Sequence, residues 1–210
     1  MNSRVNNGNS ITINKDTIIF FTDGACKNNQ SKNCDICGAG VYVSCLDNKT
    51  ISKSYSKRIS KGETQSFRLQ SRYQDKIDPA LRTTIESKQS LTFDNCTNNV
   101  AELYAVFMSV RLIINMNITN PTIVTDSKYV IGIFRDNNKA AKNTELINFI
   151  KFLINRYNLN INWYHIYGHQ KTNSVLSDEE KFLINGNNKA DAAANLALTL
   201  NHNKVVCYTN

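Results

Sequence analysis

The chain has 210 residues, enough for one well-packed domain and too few to favour two independent ones. Its formal net charge of +8 favours a polyanionic partner, either a nucleic acid or an acidic membrane surface. No apolar run approaches the roughly 20 residues that a membrane-spanning helix needs, so the composition excludes a protein built from such helices.

The ends of the chain are polar. Residues 1–16 have no apolar core followed by a cleavage site, so we expect a flexible N-terminal segment rather than a signal peptide. We therefore expect an intracellular location, in the cytoplasm or the nucleus. The domain is predicted over residues 17–200, with an insertion at about 61–95, and residues 201–210 are predicted to form a C-terminal tail.

The first part of the domain has the pattern of strands. Residues 17–22 form a short run of β-branched and aromatic residues that ends at Asp23-Gly24. Residues 38–46 and 50–60 also favour strands, and the polar residues 47–49 between them are typical of a turn. The pattern predicts a buried strand followed by an antiparallel hairpin.

Residues 61–95 are polar, contain Pro79 and lack a sustained period. This pattern predicts an inserted loop. Its excess of arginine and lysine suggests the hypothesis that the loop contacts phosphates, with a solvated loop as the alternative.

Helices and strands alternate in the second part of the domain. Helices are predicted over residues 100–114, 128–135, 145–157 and 188–200, and strands over residues 121–125 and 161–167. Strands that come first as a hairpin group and then alternate with helices indicate an α/β fold, a mixed sheet with helices on its faces.

Two acidic residues stand at the ends of predicted buried strands, and two more lie on predicted helices. Asp23 and Asp126 each end an apolar strand, where open α/β sheets place their ligands. Glu102 and Asp191 fall in the predicted first helical turns, where the helix dipole favours an anion. Taken singly, each acid is equally compatible with a turn or a helix cap. Taken together, the four could bind a pair of divalent cations.

Five short motifs occur in a fixed order along the chain. They are Phe21-Thr22-Asp23-Gly24-Ala25-Cys26, Thr97-Asn98-Asn99-Val100-Ala101-Glu102-Leu103, Val124-Thr125-Asp126-Ser127, Gly168-His169 and Asn188-Lys189-Ala190-Asp191. In this order they resemble the type 1 ribonuclease H family (ribonuclease HI), and the resemblance runs from about residue 17 to residue 200, interrupted by the insertion.

The resemblance implies a ribonuclease H-like fold: a five-stranded mixed sheet, with an antiparallel hairpin group and parallel strands, flanked by helices. It also implies an endoribonuclease that hydrolyses the RNA strand of RNA–DNA hybrids and leaves 5′-phosphate and 3′-hydroxyl ends. The implied cofactor is Mg²⁺, two ions per site, with Mn²⁺ as a substitute.

The resemblance also implies roles for individual residues. Asp23, Glu102, Asp126 and Asp191 match the metal ligands. By this analogy Asp23 bridges both ions, Asp191 helps to hold the ion that activates water, and Glu102 and Asp126 hold the other ion. His169 matches a histidine that assists proton transfer or product release.

Six residues match positions that contact the hybrid. Asn98 and Asn99 match residues that reach its minor groove, where the 2′-hydroxyl distinguishes RNA from DNA. Cys26 and Asn28 match contacts to the RNA strand, and Thr97 and Asn143 match a pocket for one phosphate of the DNA strand. The alternative for Asn98 and Asn99 is that they cap a helix.

Two other functions are compatible with such a fold. One is a non-catalytic nucleic-acid-binding module, which would have a broken set of acids. The other is a nuclease directed at DNA, which would share the metal ligands but not the paired asparagines. The sequence suggests no membrane and no protein partner, and we expect a monomer.

Six cysteines occur, at positions 26, 34, 37, 45, 96 and 207. Cys34-x-x-Cys37, flanked by Cys26 and Cys45, has the donor set of a zinc site. Ordinary thiols are the expectation, because only one close pair exists and Cys45 falls in a predicted strand.

Overall fold

A computed structural model describes residues 16–27, 34–48, 50–68, 88–118 and 120–209. Its elements in chain order are β1 (Ile18–Cys26), β2 (Ile36–Cys45), β3 (Ser52–Ser60), β4 (Thr64–Arg68), β5 (Lys88–Thr92), α1 (Asn98–Asn115), β6 (Thr122–Thr125), α2 (Lys128–Phe134), α3 (Thr144–Arg156), β7 (Asn162–His165), α4 (Asp178–Ala197) and β8 (Val206–Thr209). No helix among the described residues is both long and apolar enough to span a bilayer.

Six of the strands form one mixed sheet in the order β7-β6-β1-β2-β3-β8. The pairs β1–β6 and β6–β7 are parallel, whereas β2 pairs with β1 and β3 in the antiparallel sense. The predicted α/β fold with a mixed sheet is therefore confirmed. The central strand is β1, which has an antiparallel neighbour on one side and a parallel neighbour on the other.

Side chains of β1 alternate between two hydrophobic layers, as the two-residue period of a strand requires. Phe20 packs into the larger core beneath α1 and α3, together with Phe107 and Phe149. Ile19 and Phe21 point to the other face, where they pack against residues of α4. The sheet is thus covered on both sides, which fixes the position of its strand ends.

Helix α4 lies unusually close to the sheet at Gly40 in β2. A Cβ atom at this position would overlap the backbone of Ala190 and Ala194. The hydroxyl of Ser56 in β3 donates to the carbonyl oxygen of Ala193 at 2.7 Å, and this bond also holds α4 close to the sheet. A residue without a side chain is therefore required where α4 crosses β2.

The last helix is longer than its apolar pattern indicates. We predicted a start at residue 188, but α4 begins at Asp178 after the N-cap Ser177. Ser177 and Glu180 form a capping box, in which each side chain accepts from the other residue's backbone N–H. The prediction was wrong because polar residues fill the exposed side of the first turns and hide their period.

The sheet also has one more strand than predicted. Residues 201–210 were expected to be a tail, but Val206–Thr209 forms the edge strand β8, which pairs with β3 from Lys53 to Ser56. The segment is short and half exposed, so its sequence lacks the apolar run that marks a central strand.

The two ends of the predicted insertion are strands rather than loop. β4 and β5 pair in the antiparallel sense. Phe67 of β4 packs edge-on against Phe107, with 4.8 Å between ring centroids, so the insertion contributes to the core. Residues 69–87 lie outside the described part of the chain, and the phosphate-binding role of this segment stays a prediction.

The close approach at Gly40 generates a stability prediction. We expect Gly40→Ala to lower the free energy of unfolding by about 1–3 kcal/mol, because the new methyl group displaces the backbone of α4. Denaturant unfolding followed by circular dichroism measures this change. The matched control is Gly132→Ala within α2, where the Cβ would meet only the flexible amide of Asn138. Equal stability of the Gly40 variant and the native chain would contradict the packing described.

Candidate active site

Two carboxylates stand side by side on adjacent parallel strands. Asp126 directly follows β6, whereas Asp23 lies inside β1, which continues to Cys26 because it still pairs with β2 there, so the prediction that Asp23 ends its strand was wrong. In the register of β1 and β6, Thr22 pairs with Thr125. Asp23 and Asp126 directly follow this pair, so both emerge at the same edge of the sheet. This is the position at which open α/β sheets bind ligands.

Two glycine contacts bring a helix to either side of Asp23. A Cβ atom on Gly24 would overlap the backbone nitrogen of Glu102, so α1 reaches β1 at that residue. Gly40, the strand partner of Asp23, is covered by the backbone of Ala190, the residue before Asp191. Glu102 and Asp191 are therefore carried to the same edge by opposite faces of the sheet.

Asp23 is at the centre of this group and is only 8% exposed. The pKa of Asp23 is raised to about 8, chiefly by burial and also by the nearby charges of Asp126, Asp191 and Glu102. The backbone N–H of Gly24, which donates to Asp23 Oδ1 at 2.7 Å, acts in the opposite direction. The other three predicted acids thus all lie within electrostatic reach of Asp23.

Glu102 and Asp126 are also affected by burial. Burial raises the pKa of Glu102 to about 7 and raises that of Asp126 above its ordinary value. The hydroxyl of Ser127 donates to Glu102 Oε2, and Asn187 Nδ2 donates to Asp126 Oδ2 at 3.3 Å. These two bonds stabilise the charged carboxylates, but they do not offset the desolvation.

The donor set suits hard divalent cations, which prefer carboxylate oxygens. Within the described ranges, no three His, Cys, Asp or Glu side chains enclose a common point as a closed metal cage would. Mg²⁺ typically takes only one or two protein carboxylates and keeps several waters, so it does not need such a cage. Buried acids at an open sheet edge therefore suit Mg²⁺, which keeps part of its water shell. They suit less well a cation that needs a complete set of protein ligands.

His169 lies beside this group on the loop that follows β7. Its ring is exposed, and its backbone φ of 53° is in the left-handed region. The preceding Gly168 lies against the Asp126 carboxylate, and the charge of His169 lowers the pKa of Asp126. The loop thus places an imidazole next to the acids with access to solvent.

The predicted substrate residues lie at helix starts near the acids. Thr97 is the N-cap of α1, and its hydroxyl accepts from the Val100 N–H at 3.2 Å. Asn98 and Asn99 begin the helix itself, so the alternative that they cap it is wrong. Asn99 is exposed, whereas Asn98 Oδ1 is buried with no partner among the described residues.

The other predicted substrate contacts are Asn143, Cys26 and Asn28. Asn143 occupies the N-cap position of α3 with a left-handed backbone, and its side chain donates to Tyr129 Oη at 3.3 Å instead of capping the helix. The Cys26 thiol is directed toward Cys34, at 2.6 Å. Asn28 lies outside the described residues.

The dipole argument for two of the acids was wrong. Glu102 lies in the second turn of α1, because the helix begins at Asn98 rather than at Val100. Asp191 lies well inside α4, where its Oδ1 accepts from Asn195 Nδ2 at 2.9 Å. The close packing of both helices on the sheet, and not their positive ends, places these carboxylates.

Two neighbours of the acids were not predicted as site residues. Ser127 was recognised only as part of a motif and a candidate cap, and it does cap α2, but it also binds Glu102. Asn187 is buried and contacts Asp126. The available signal was the polar character of Asn187 one helical turn before Asp191, on a helix that packs against a sheet.

The model of the RNase H family matches residues 76–199, more than half of the chain. The chain therefore belongs to the ribonuclease H family and is a hydrolase of that family. Glu102, Asp126, His169 and Asp191 lie within the matched stretch, whereas Asp23 lies before it. No curated protein matches the chain.

The chain is also similar, at low sequence identity, to solved structures of ribonuclease H domains. The N-terminal RNase H domain of a Mycobacterium tuberculosis protein is 19% identical, covers 86% of this chain and 98% of its own, and has a TM-score of 0.49. A ribonuclease H1 isolated from compost by a metagenomic approach is 20% identical, with coverages of 87% and 95% and a TM-score of 0.49. Ribonuclease H1 from Halobacterium salinarum is 14% identical, with coverages of 87% and 97% and a TM-score of 0.47.

The raised pKa of Asp23 predicts how stability depends on pH without divalent cations. The pKa is 3.8 in the unfolded reference and about 8 in the fold. The stability that the protonated carboxyl contributes is complete below the lower value and is lost as the pH rises through the higher one. At about pH 9 in chelator, we expect Asp23→Asn to raise the free energy of unfolding by on the order of 2 kcal/mol.

Urea unfolding across this pH range measures the effect. The matched control is Asp47→Asn, which changes an exposed carboxylate after β2 and should leave the stability unchanged at every pH. A decrease in stability of the Asp23 variant at high pH would show that the carboxylate is not under repulsive strain.

Proposed function

We propose that this ribonuclease H hydrolyses the RNA strand of RNA–DNA hybrids at the four-acid site. Two independent observations support the proposal. The chain belongs to the family by its sequence, and Asp23, Glu102, Asp126 and Asp191, which are distant along the chain, lie within electrostatic reach at one sheet edge. The convergence of the acids is the observation that carries the proposal.

The four acids would hold two divalent cations, with Mg²⁺ as the ion that suits them best. Asp23 is the natural shared ligand, because all three other carboxylates perturb it. Asp191 would complete one ion's ligands from the α4 side, and Glu102 with Asp126 would complete the other's. Ser127 and Asn187 would position these carboxylates by their hydrogen bonds.

The reaction is an in-line attack of water on the scissile phosphorus, with departure of the ribose 3′-oxygen. When bound, the two cations supply positive charge at the attacking and the leaving oxygen. His169, exposed beside Asp126, would deliver a proton to the departing 3′-oxygen or help the product to leave. The products would be a 5′-phosphate and a 3′-hydroxyl.

The choice of substrate would depend on the start of α1. Asn98 and Asn99 directly follow the N-cap Thr97, and they lie one turn before Glu102 on the same helix. Amide groups in this position can exchange hydrogen bonds with a 2′-hydroxyl and with base edges in the minor groove of a hybrid. Thr97 and Asn143 would contact one phosphate of the DNA strand, and the net charge of +8 favours such a polyanion.

A cleavage assay with an Asp126 variant tests the proposal. We expect the native chain with Mg²⁺ to cut the RNA of a matched hybrid and to leave duplex RNA and duplex DNA intact. Asp126→Asn should lower the rate by roughly 10³-fold, because several kcal/mol of transition-state stabilisation depend on the bound cations. Analysis of the product ends checks the predicted 5′-phosphate and 3′-hydroxyl.

The matched control is Asp94→Asn, which removes an exposed carboxylate near the start of α1 and should preserve the rate. Equal cutting of duplex DNA would assign a DNA-directed nuclease instead. Binding of the hybrid without any cleavage would assign a non-catalytic module.

A further inference from the structure

Four cysteines from separate parts of the sequence meet at one end of the sheet. Cys26 ends β1 and is the strand partner of Cys37 in β2. Cys34 lies just before β2, and Cys96 lies just before the N-cap of α1. None of these four is in a disulfide, so all four are available as thiols.

The four sulfur atoms form a connected group. Cys26 Sγ and Cys34 Sγ are 2.6 Å apart. The thiols of Cys37 and Cys96 are hydrogen-bonded to each other, and the other three thiols are all within electrostatic reach of Cys37. The Cys26 thiol also approaches the carbonyl oxygen of Cys96 at 3.7 Å, which connects the two pairs.

The group is shielded from solvent on most sides. Cys34, Cys37 and Cys96 are 9%, 0% and 3% exposed, and Cys26 is half-buried. The remaining two cysteines are elsewhere. Cys45 pairs with Ile18 at the opposite end of the β1–β2 ladder, so a zinc site that includes Cys45 is wrong. Cys207 is exposed on the edge strand β8.

We propose that Cys26, Cys34, Cys37 and Cys96 form a structural binding site for one zinc ion. Four cysteines from three chain segments supply the closed thiolate set that structural zinc prefers. The soft sulfur donors exclude Mg²⁺, so this site is chemically distinct from the four-acid site. The spacing includes the Cys34-x-x-Cys37 pair that is typical of such sites.

The site requires a small rearrangement when the ion binds. Zinc–sulfur bonds of about 2.3 Å put tetrahedral sulfurs about 3.8 Å apart. The pair Cys26–Cys34 is closer than this, which agrees with the absence of a closed metal cage among the described residues. Rotation of the Cys26 and Cys34 side chains would separate the pair and open the centre of the group. Lys57 is buried, forms an ion pair with Glu63 at 2.8 Å and lies within electrostatic reach of Cys37, so it would compensate part of the negative charge.

The position of the site connects it to the active site. Cys26 and Asp23 lie on the same strand, and Cys96 is followed directly by Thr97, Asn98 and Asn99. An ion held by these cysteines would tie the end of β1 to the start of α1. It would thereby fix the relative position of Asp23 and Glu102, which reach the four-acid site from these two elements.

Metal analysis of the full chain tests the proposal. The protein is purified under reducing conditions, treated with chelator and then titrated with Zn²⁺ or Co²⁺. We expect one zinc ion per chain by elemental analysis, and with Co²⁺ the intense visible bands and thiolate charge-transfer bands of tetrahedral sulfur ligation. Alkylation followed by peptide mapping should show that zinc protects the four named thiols.

One ligand variant and two control variants test the assignment of the ligands. Cys96→Ser should lose the zinc, whereas Cys207→Ser and Asp126→Asn should retain it, which separates this site from the exposed thiol and from the acids. The cobalt spectrum and the thiol protection use the native chain, so they decide the matter even if Cys96→Ser does not fold. Absence of zinc-dependent thiol protection, a native Cys26–Cys34 disulfide, or zinc retained by Cys96→Ser would each overturn the proposal.

Discussion

Carboxylates gathered away from water repel one another, and in this protein that repulsion is concentrated on Asp23. Burial together with three further acids raises the pKa of this residue to about 8. A fold gains nothing from such a group by itself, since each desolvated charge costs free energy. A bound divalent cation reverses the balance, because it converts the repulsion into a set of attractive contacts. The arrangement is therefore built for a ligand rather than for stability.

The scaffold holds these acids in place through backbone contacts. Adjacent parallel strands put Asp23 and Asp126 side by side, and the helices α1 and α4 pack on opposite faces at Gly24 and Gly40. Neither glycine tolerates a side chain without movement of a helix. The proposed zinc site would add a further link at the start of α1. The positions of the four acids are thus set by the packed core, whereas His169 is placed by the loop after β7.

Much of this could be predicted from the sequence. The ordered motifs led to the fold and to all four acids, because each acid is next to a recognisable element end or helix. Long-range packing could not be predicted. The sequence around Asp191 does not reveal that α4 packs against the sheet at Gly40. In the same way, Cys96 is distant from Cys34 and Cys37 in sequence, so local spacing did not indicate that its thiol lies beside theirs. The polar start of α4 and the short edge strand β8 carry no apolar period that would mark them.

The proton balance of magnesium binding tests the central claim most directly. The protein is titrated with Mg²⁺ in a calorimeter at about pH 7, in buffers with different heats of protonation. The difference between the buffers gives the number of protons that the protein releases when the ion binds. Asp23 and Glu102, with pKa values of about 8 and about 7, retain protons that a cation must expel. We expect a release of about one proton, and a smaller release in Asp23→Asn. Binding with no proton release, unchanged by that substitution, would contradict this claim.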